Sequence, residues 1–302
     1  MPELITPGRQ NGALVARIGR LHVGDGQGIK VMGIINTSPE SFYKESVRIT
    51  DSEIGSTAMQ MQKDGAQIID VGGMSTAPYL RTLIPVEKEI SRIKKAIKAI
   101  RNACELPVSV DTPRAQVAHE AIRSGANAIN DVTGLKFDPK MARVVAEERV
   151  AVIMGAYSTT VESGTISATV RALGKSLQIA RSAGINSRML VVDPSIGFFR
   201  KSGTGQFFTK MLDKPWYERD LEVLSKIEKV ARLAPTCVSV SGKSFLGELL
   251  SIREPEKRLV PSITCEIYAA LHGASIIRTH NVKPAVDALT LSGMLWARRK
   301  RL

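Results

Sequence analysis

Pro107-Val-Ser-Val-Asp-Thr-Pro-Arg-Ala-Gln-Val-Ala-His-Glu-Ala-Ile-Arg-Ser-Gly-Ala-Asn-Ala-Ile-Asn-Asp131 holds one complete repeat of the chain's architecture. A short apolar run, Pro107–Asp111, ends in a carboxylate. The amphipathic stretch Arg114–Ser124 follows, Gly125-Ala126 closes it, and a second run, Ala126–Asp131, again ends in polar residues. Runs that are apolar on both faces suit buried parallel strands. A glycine after a helix supplies the left-handed cap, and alanine fits a tight return to the next strand.

The pattern extends in both directions. Strands are expected at Val31–Asn36, Gln67–Gly72, Val150–Gly155, Arg188–Asp193, Thr236–Val240 and Ala274–Arg278 as well. Helices are expected at Asp51–Asp64, Val86–Ala103, Pro139–Glu148, Ser167–Ala183, Trp216–Leu233, Pro261–His272 and Val282–Arg299, with Gly65-Ala66 and Gly273-Ala274 repeating the closing pair. Strict alternation over about eight units predicts an α/β fold, a (β/α)8 TIM barrel, with an open doubly wound sheet as the alternative. Ala13–Lys30, with Gly24-Asp25-Gly26, reads as an N-terminal β-hairpin plugging the barrel's lower end. The expected organisation is one domain over 1–302, with residues 1–30 as extension and 31–302 as barrel. Ser38–Thr50 and Met74–Pro85 are long for βα connections and are candidate lids. Gly197–Pro215 is a third long, basic connection.

At 302 residues and 43% hydrophobic, the chain can bury a barrel-sized core. No apolar run reaches the roughly 20 residues a membrane span needs, and Met1 to Gln10 lacks the apolar core of a secretory signal. The three cysteines, Cys104, Cys237 and Cys265, are far apart, which points to a reducing cytoplasm and to no zinc site. The net charge of +13 fits anionic small substrates, while 5% aromatics and no stacking motif argue against nucleic acid. Arg298, Arg299, Lys300 and Arg301 read as a solvated helix end.

In a barrel the active site forms at the strands' C-terminal ends. Those ends carry Asn36, Asp70, Asp111, Asn130 with Asp131, Asp193, Lys243, and Arg278 with His280. Asp131 and Asp138 read as turn formers. The remaining acids and amides suit the paired N–H groups of an aminopyrimidinone, and Lys243 suits a ring carbonyl. Arg278 and His280 suit phosphate oxygens, and Asn36 suits Mg²⁺. Gly242-Lys243-Ser244 resembles the end of a phosphate-binding loop, but Cys237 stands where that motif needs glycine. His22, His119 and His272 are scattered, and Met59 and Met61 read as helix packing.

Seven segments, in order, resemble the dihydropteroate synthase family: Met32-Gly-Ile-Ile-Asn-Thr-Ser-Pro-Glu-Ser-Phe42, Gly65-Ala-Gln-Ile-Ile-Asp-Val-Gly-Gly-Met-Ser-Thr76, Val108-Ser-Val-Asp-Thr112, Ala128-Ile-Asn-Asp-Val-Thr-Gly-Leu135, Val192-Asp-Pro-Ser-Ile-Gly-Phe198, Ser241-Gly-Lys-Ser-Phe-Leu-Gly247 and Ile276-Ile-Arg-Thr-His280. The resemblance implies a transferase that joins a 6-hydroxymethyl-dihydropterin pyrophosphate to an aryl amine and releases pyrophosphate. It implies pterin contacts from Asp111, Asn130, Met154, Asp193 and Lys243. Asn36, Arg278 and His280 become pyrophosphate residues, with Asn36 also at Mg²⁺. Asp111, Lys243 and Arg278 are the implied catalytic set, and Ser75, Thr76, Pro78 and Ser244 the aryl-amine loops. A homodimer through the last helices is implied too, with Ile263–Leu271 as an apolar face.

The departures concern the second substrate. Ser75-Thr76-Ala77-Pro78-Tyr79 and Ser241-Gly242-Lys243-Ser244 lack arginines that many bacterial members carry, and Met154-Gly155-Ala156 replaces a Met-His-Met. The expectation is p-aminobenzoate or a ribofuranosyl-aminobenzene phosphate, in folate or methanopterin synthesis. Arg81 is a candidate replacement cation. Arg200, Lys201 and Lys210 are candidates for a ribose phosphate. A pterin-dependent methyltransferase and a non-catalytic pterin-binding paralogue are the alternatives.

Overall fold

The computed structural model describes residues 14–39, 47–80 and 83–299. Arg81, residues 40–46 of the first long loop, the N-terminal 13 residues and the basic residues Lys300 and Arg301 lie outside that range.

A hairpin opens the fold. β1 (Val15–Ile18) and β2 (Leu21–Gly24) pair antiparallel. The expected hairpin is present, but its turn falls at Gly19-Arg20 rather than at Gly24-Asp25-Gly26. Eight parallel strands follow: β3 (Lys30–Asn36), β4 (Ile68–Gly72), β5 (Val108–Asp111), β6 (Ala128–Asp131), β7 (Ala151–Gly155), β8 (Leu190–Asp193), β11 (Cys237–Val238) and β12 (Ile276–Thr279). β12 pairs with β3, so the sheet curls on itself. The ring closes between β8 and β11 through a bridge from Val192 to Thr236, where the Val192 N–H donates to the Pro235 carbonyl at 2.9 Å.

Strand alternation sorts the side chains into two cores. Inward-facing Met32, Ile68, Ala128, Ala151, Ile153, Val191, Cys237 and Ile276 pack with Ala16, Ile18 and Val23 of the hairpin, which seals the lower end with apolar surface. Outward-facing Val31, Ile69, Val110, Ile129, Val152, Val192 and Ile277 pack under the helices. α1 (Asp51–Lys63) starts with a Thr50–Glu53 capping box. α2 (Val86–Ala103) buries Ile93, Ala96, Ile97 and Ile100 at helical spacing. Such fully buried isoleucines each contribute roughly 1.5–3 kcal/mol. The helices α3 (Ala115–Arg123), α4 (Met141–Glu148), α5 (Ile166–Ser182), α9 (Leu259–Leu271) and α10 (Val282–Arg299) match the expected segments within two residues at each end. Gly65, Gly125 and Gly273 all have positive φ, as the closing-pair reading requires.

Three local features differ from expectation. The segment Trp216–Leu233 is broken into α6 (Trp216–Ser225) and α7 (Glu228–Ala231), because Lys226 leaves helical geometry (φ −120°, ψ 27°) and Ile227 turns fully inward. The connection after β8 carries a two-residue ribbon of β9 (Phe199–Arg200) and β10 (Thr209–Lys210). A short helix, α8 (Ser244–Leu250), follows β11 directly. Met61 is buried as expected, whereas Met59 is 43% exposed.

Glu266 on α9 is buried behind β12. Burial pushes its carboxyl up to about 8, and the Thr279 hydroxyl of β12 pulls only weakly the other way. The folded protein therefore keeps a proton that the unfolded chain has released, and stability is lost as pH rises from the ordinary glutamate range towards 8. Glu266→Gln should lack that loss. In urea denaturation its stability should gain on the parent between pH 5 and 8 by on the order of a few kcal/mol, and parallel pH profiles would contradict this.

Candidate active site

Register brings the polar strand ends to one height. Asn36 pairs with Gly72, Gly72 with Asp111, Asp111 with Asn130, and Gly155 with Asp193. The cleft above them opens to solvent. Its walls include Asn36, Asp111, Asn130, Asp193, Lys243, Arg278, His280, Arg200, and the loop residues Ser75, Thr76, Pro78 and Ser244, but not the expected Met154, Lys201 or Lys210.

Met154 is a correction. It lies on the outward phase of β7, fully buried in the strand–helix core. With a side-chain period of two, Gly155 faces the cleft instead. No larger residue fits at Gly155, since a Cβ there would meet the Val132 carbonyl oxygen at 2.1 Å.

At the floor of the cleft Arg278 bridges two carboxylates. Its Nε donates to Asp70 Oδ2 at 2.7 Å, and its Nη2 lies 2.6 Å from the same oxygen. Nη2 also donates to Asp111 Oδ2 at 3.1 Å, and Nη1 to Ser239 Oγ at 3.4 Å. Asn130 Nδ2 donates to Asp70 Oδ2 at 3.2 Å. Asp70, expected among the strand-end acids at the mouth, is instead fully buried beneath it and paired with Arg278, two residues before the end of an otherwise apolar strand. Asp111 Oδ1 is buried with no hydrogen-bond partner among the described residues, so an acceptor is left over.

The other wall comes from the connection after β8. Ser195 N–H donates to Asp193 Oδ1 at 2.6 Å. Arg219, fully buried, donates to the Ser195 carbonyl at 3.1 Å and the Pro194 carbonyl at 2.9 Å, and pairs with Asp220 at 2.9 Å. This fixes the turn that carries Asp193. Lys243 Nζ lies 4.6 Å from the centroid of Phe198. Asp131 and Asp138 are turn formers: Asp131 accepts from Thr133 and Leu135, and Asp138 from Ala115 and Lys140. His119 pairs with Glu148 and His272 stacks on Tyr268, both away from the cleft.

Burial dominates the protonation of the site. It pushes Asp111 up to about 7, against the pull of Arg278 and Lys243 and with the push of Asp70. It raises Asp193 as well, opposed by the Ser195 N–H and by Lys243. It lowers Lys243 to about 8, helped by the charge of Arg278. It lowers His280 to about 3, with Arg278 and Lys243 adding to the effect, so this imidazole is neutral at pH 7. For Arg278, burial opposes the charge, and Asp70 and Asp111 overcome it. A fixed cation, a lowered lysine and spare carboxylate acceptors around one flat cleft suit a planar heterocycle with N–H donors on one edge and an anionic substituent.

Fold and cleft thus define a barrel enzyme for a polar-edged heterocycle. The model of the pterin binding enzyme family matches residues 32–280. The chain is 35% identical to the dihydropteroate synthase of Mycobacterium leprae over 279 residues, covering 88% of this chain and 93% of that one. The dihydropteroate synthase of Xanthomonas albilineans, solved with 4-aminobenzoic acid, superposes with a TM-score of 0.79 at 27% identity, over 95% and 99% of the two chains. That of Coxiella burnetii, solved with pteroic acid, gives 0.77 at 30% identity, over 93% and 98%. The chain belongs to the pterin-binding enzymes and, among them, to the dihydropteroate synthase family, and it is a transferase of that type.

Met154→Leu conserves volume in the outer core, so pterin affinity should stay within about twofold and stability within about 1.5 kcal/mol. A tenfold loss of pterin affinity by calorimetry would place the side chain at the cleft after all.

Proposed function

We propose that this protein transfers the dihydropterin methylene group from a pyrophosphate ester to an aryl amine. The observation that carries the reading is the Asp70–Arg278–Asp111 bridge at the floor of a cleft that also holds Asn130, Asp193, Lys243 and His280. Asp111, Asn130 and Asp193 accept from the N–H edge of the pterin, and Lys243 donates to its carbonyl. The C–O bond to pyrophosphate breaks, and its electron pair leaves with the pyrophosphate. Asp111, as carboxylate, stabilises the positive charge that remains on the pterin. Arg278 and His280 receive the departing oxygens. The amine nitrogen then forms the new C–N bond and loses a proton to solvent.

Among the described residues no group of three or more His, Cys, Asp or Glu gathers around a metal position. The donor set fits a Mg²⁺ carried by the pyrophosphate and touching the protein at the Asn36 amide oxygen, since Mg²⁺ keeps phosphate and water ligands. When bound, it would neutralise charge on the leaving group.

The amine is p-aminobenzoate on this reading. Ala77 and Gly242, which put no cation on the lip, favour a ribofuranosyl-aminobenzene phosphate as the second candidate. The Arg278 and His280 pair argues against a methyltransferase, which has no pyrophosphate to hold. Exposed Leu259 and Val260 on α9, with Leu291, Met294 and Leu295 on α10, support a homodimer through the last helices. Free thiols at Cys104, Cys237 and Cys265 support a cytoplasmic enzyme. Among the described residues no helix is long and apolar enough to cross a membrane.

Pyrophosphate release with Mg²⁺ and the dihydropterin pyrophosphate should depend on added amine, and release with neither candidate amine would remove the transferase reading. Asp111→Ala and Lys243→Ala should each lose pterin affinity by on the order of 30- to 1,000-fold, from about 2–4 kcal/mol of charged hydrogen bonding. Unchanged calorimetric binding in both would overturn the assignment.

A further inference from the structure

The outer end of the cleft has its own composition. Pro78 and Tyr79 line it from the loop after β4, Phe198 and Arg200 from the connection after β8, and Ser244 from the start of α8. The first three offer apolar or aromatic surface, which suits a second flat ring beside the pterin position.

Arg200 is the cation of this end. It is 8% exposed, yet it lines the cleft. Its guanidinium lies 3.4 Å from the centroid of Trp216 and 6.0 Å from that of Tyr79. Nε donates to the Gly197 carbonyl at 3.0 Å and Nη2 to Ser244 Oγ at 2.9 Å. These contacts fix the plane of the group and leave Nη1 without a hydrogen bond to protein among the described residues. No carboxylate forms an ion pair with it among those residues. Asp220 acts on it through space but is bonded directly to Arg219. Arg278, by contrast, is held between Asp70 and Asp111. Lys201 and Lys210, the other members of this basic region, are exposed and do not line the cleft.

We propose that Arg200 sets the specificity for the second substrate by binding an oxyanion on the aryl amine, in concert with Ser244. The inference rests on the transferase reading above and names what that site selects. A desolvated guanidinium held flat against Trp216 loses little further freedom on binding, and a planar fork matches a carboxylate or a phosphate edge. Burial disfavours its charge, so an incoming anion restores what desolvation took away. Tyr79, whose hydroxyl burial pushes up to about 12, stays protonated and can donate beside it. Arg200 supplies a cation that the side chains at Ala77 and Gly242 do not.

The test compares p-aminobenzoate, its ribosyl phosphate counterpart and the neutral p-aminobenzamide in the full-length protein and in Arg200→Gln and Arg200→Lys. Steady-state pyrophosphate release should show KM for the anionic amine rising roughly 10- to 100-fold in Arg200→Gln, with kcat falling far less. The neutral amide should lose much less, and Arg200→Lys should recover part of the difference. Whichever anionic amine the parent prefers identifies the oxyanion as carboxylate or phosphate. Equal losses on anionic and neutral amines, or no loss on either, would overturn the role. If the parent releases no pyrophosphate with any amine, the transferase reading falls by itself. Calorimetric binding to protein loaded with pterin and pyrophosphate then decides the role of Arg200. A parent preference for benzoate over benzamide that disappears in Arg200→Gln supports it, and no parent preference refutes it. If Arg200→Gln fails to fold, the parent's own preference and Arg200→Lys give the same decision.

Discussion

The Arg278 guanidinium, held between Asp70 and Asp111, is the interaction on which the rest of the cleft depends. Two carboxylates and a guanidinium inside a barrel carry a large desolvation cost, and only good geometry with further hydrogen bonds offsets it. Here Asn130 and Ser239 supply such bonds, and Asp70 Oδ2 accepts from both Arg278 and Asn130. The cost is tolerable because the polar layer begins only above an apolar one. Ile18, Val23, Met32, Ile68, Ile153 and Ile276 fill the barrel beneath it. The hairpin is thus part of the site's foundation, although none of its residues lines the cleft.

That bridge also sets the electrostatics. Arg278 stays charged, and its field adds to the burial that lowers Lys243 and His280 while pulling against the burial that raises Asp111. His280 is thereby neutral at pH 7, while Arg278 keeps its charge. The cleft offers acceptors with spare lone pairs beside a fixed cation, as the proposed reaction requires. Little has to reorganise as charge develops, which is where such sites derive most of their catalytic effect.

The second wall is built differently. Arg219 anchors the turn after β8 through backbone carbonyls, and Arg200 stacks beside it on Trp216. One arginine is spent on architecture, its two terminal nitrogens bound to carbonyls, Thr169 and Asp220, while its neighbour on the ribbon lines the cleft. Two buried arginines with opposite duties cannot be told apart by residue type, and only their partners separate them.

The sequence by itself determined the repeat, and with it the barrel. Apolar runs that alternate with amphipathic ones leave a chain few ways to bury both faces of every strand, and Gly65, Gly125 and Gly273 mark the returns through a backbone conformation that other residues avoid. Polar residues at strand ends were legible for the same reason, because a carboxylate closing a buried strand must face a mouth, a turn or a partner. What only the tertiary structure decided were the matters that depend on phase and pairing. One residue of register puts Met154 outside and Gly155 inside. Ile227 turns inward with no glycine or proline to announce the break. Asp70 and Arg278 are 208 positions apart in the chain, and no local pattern records that closing the ring sets them within a hydrogen bond of each other.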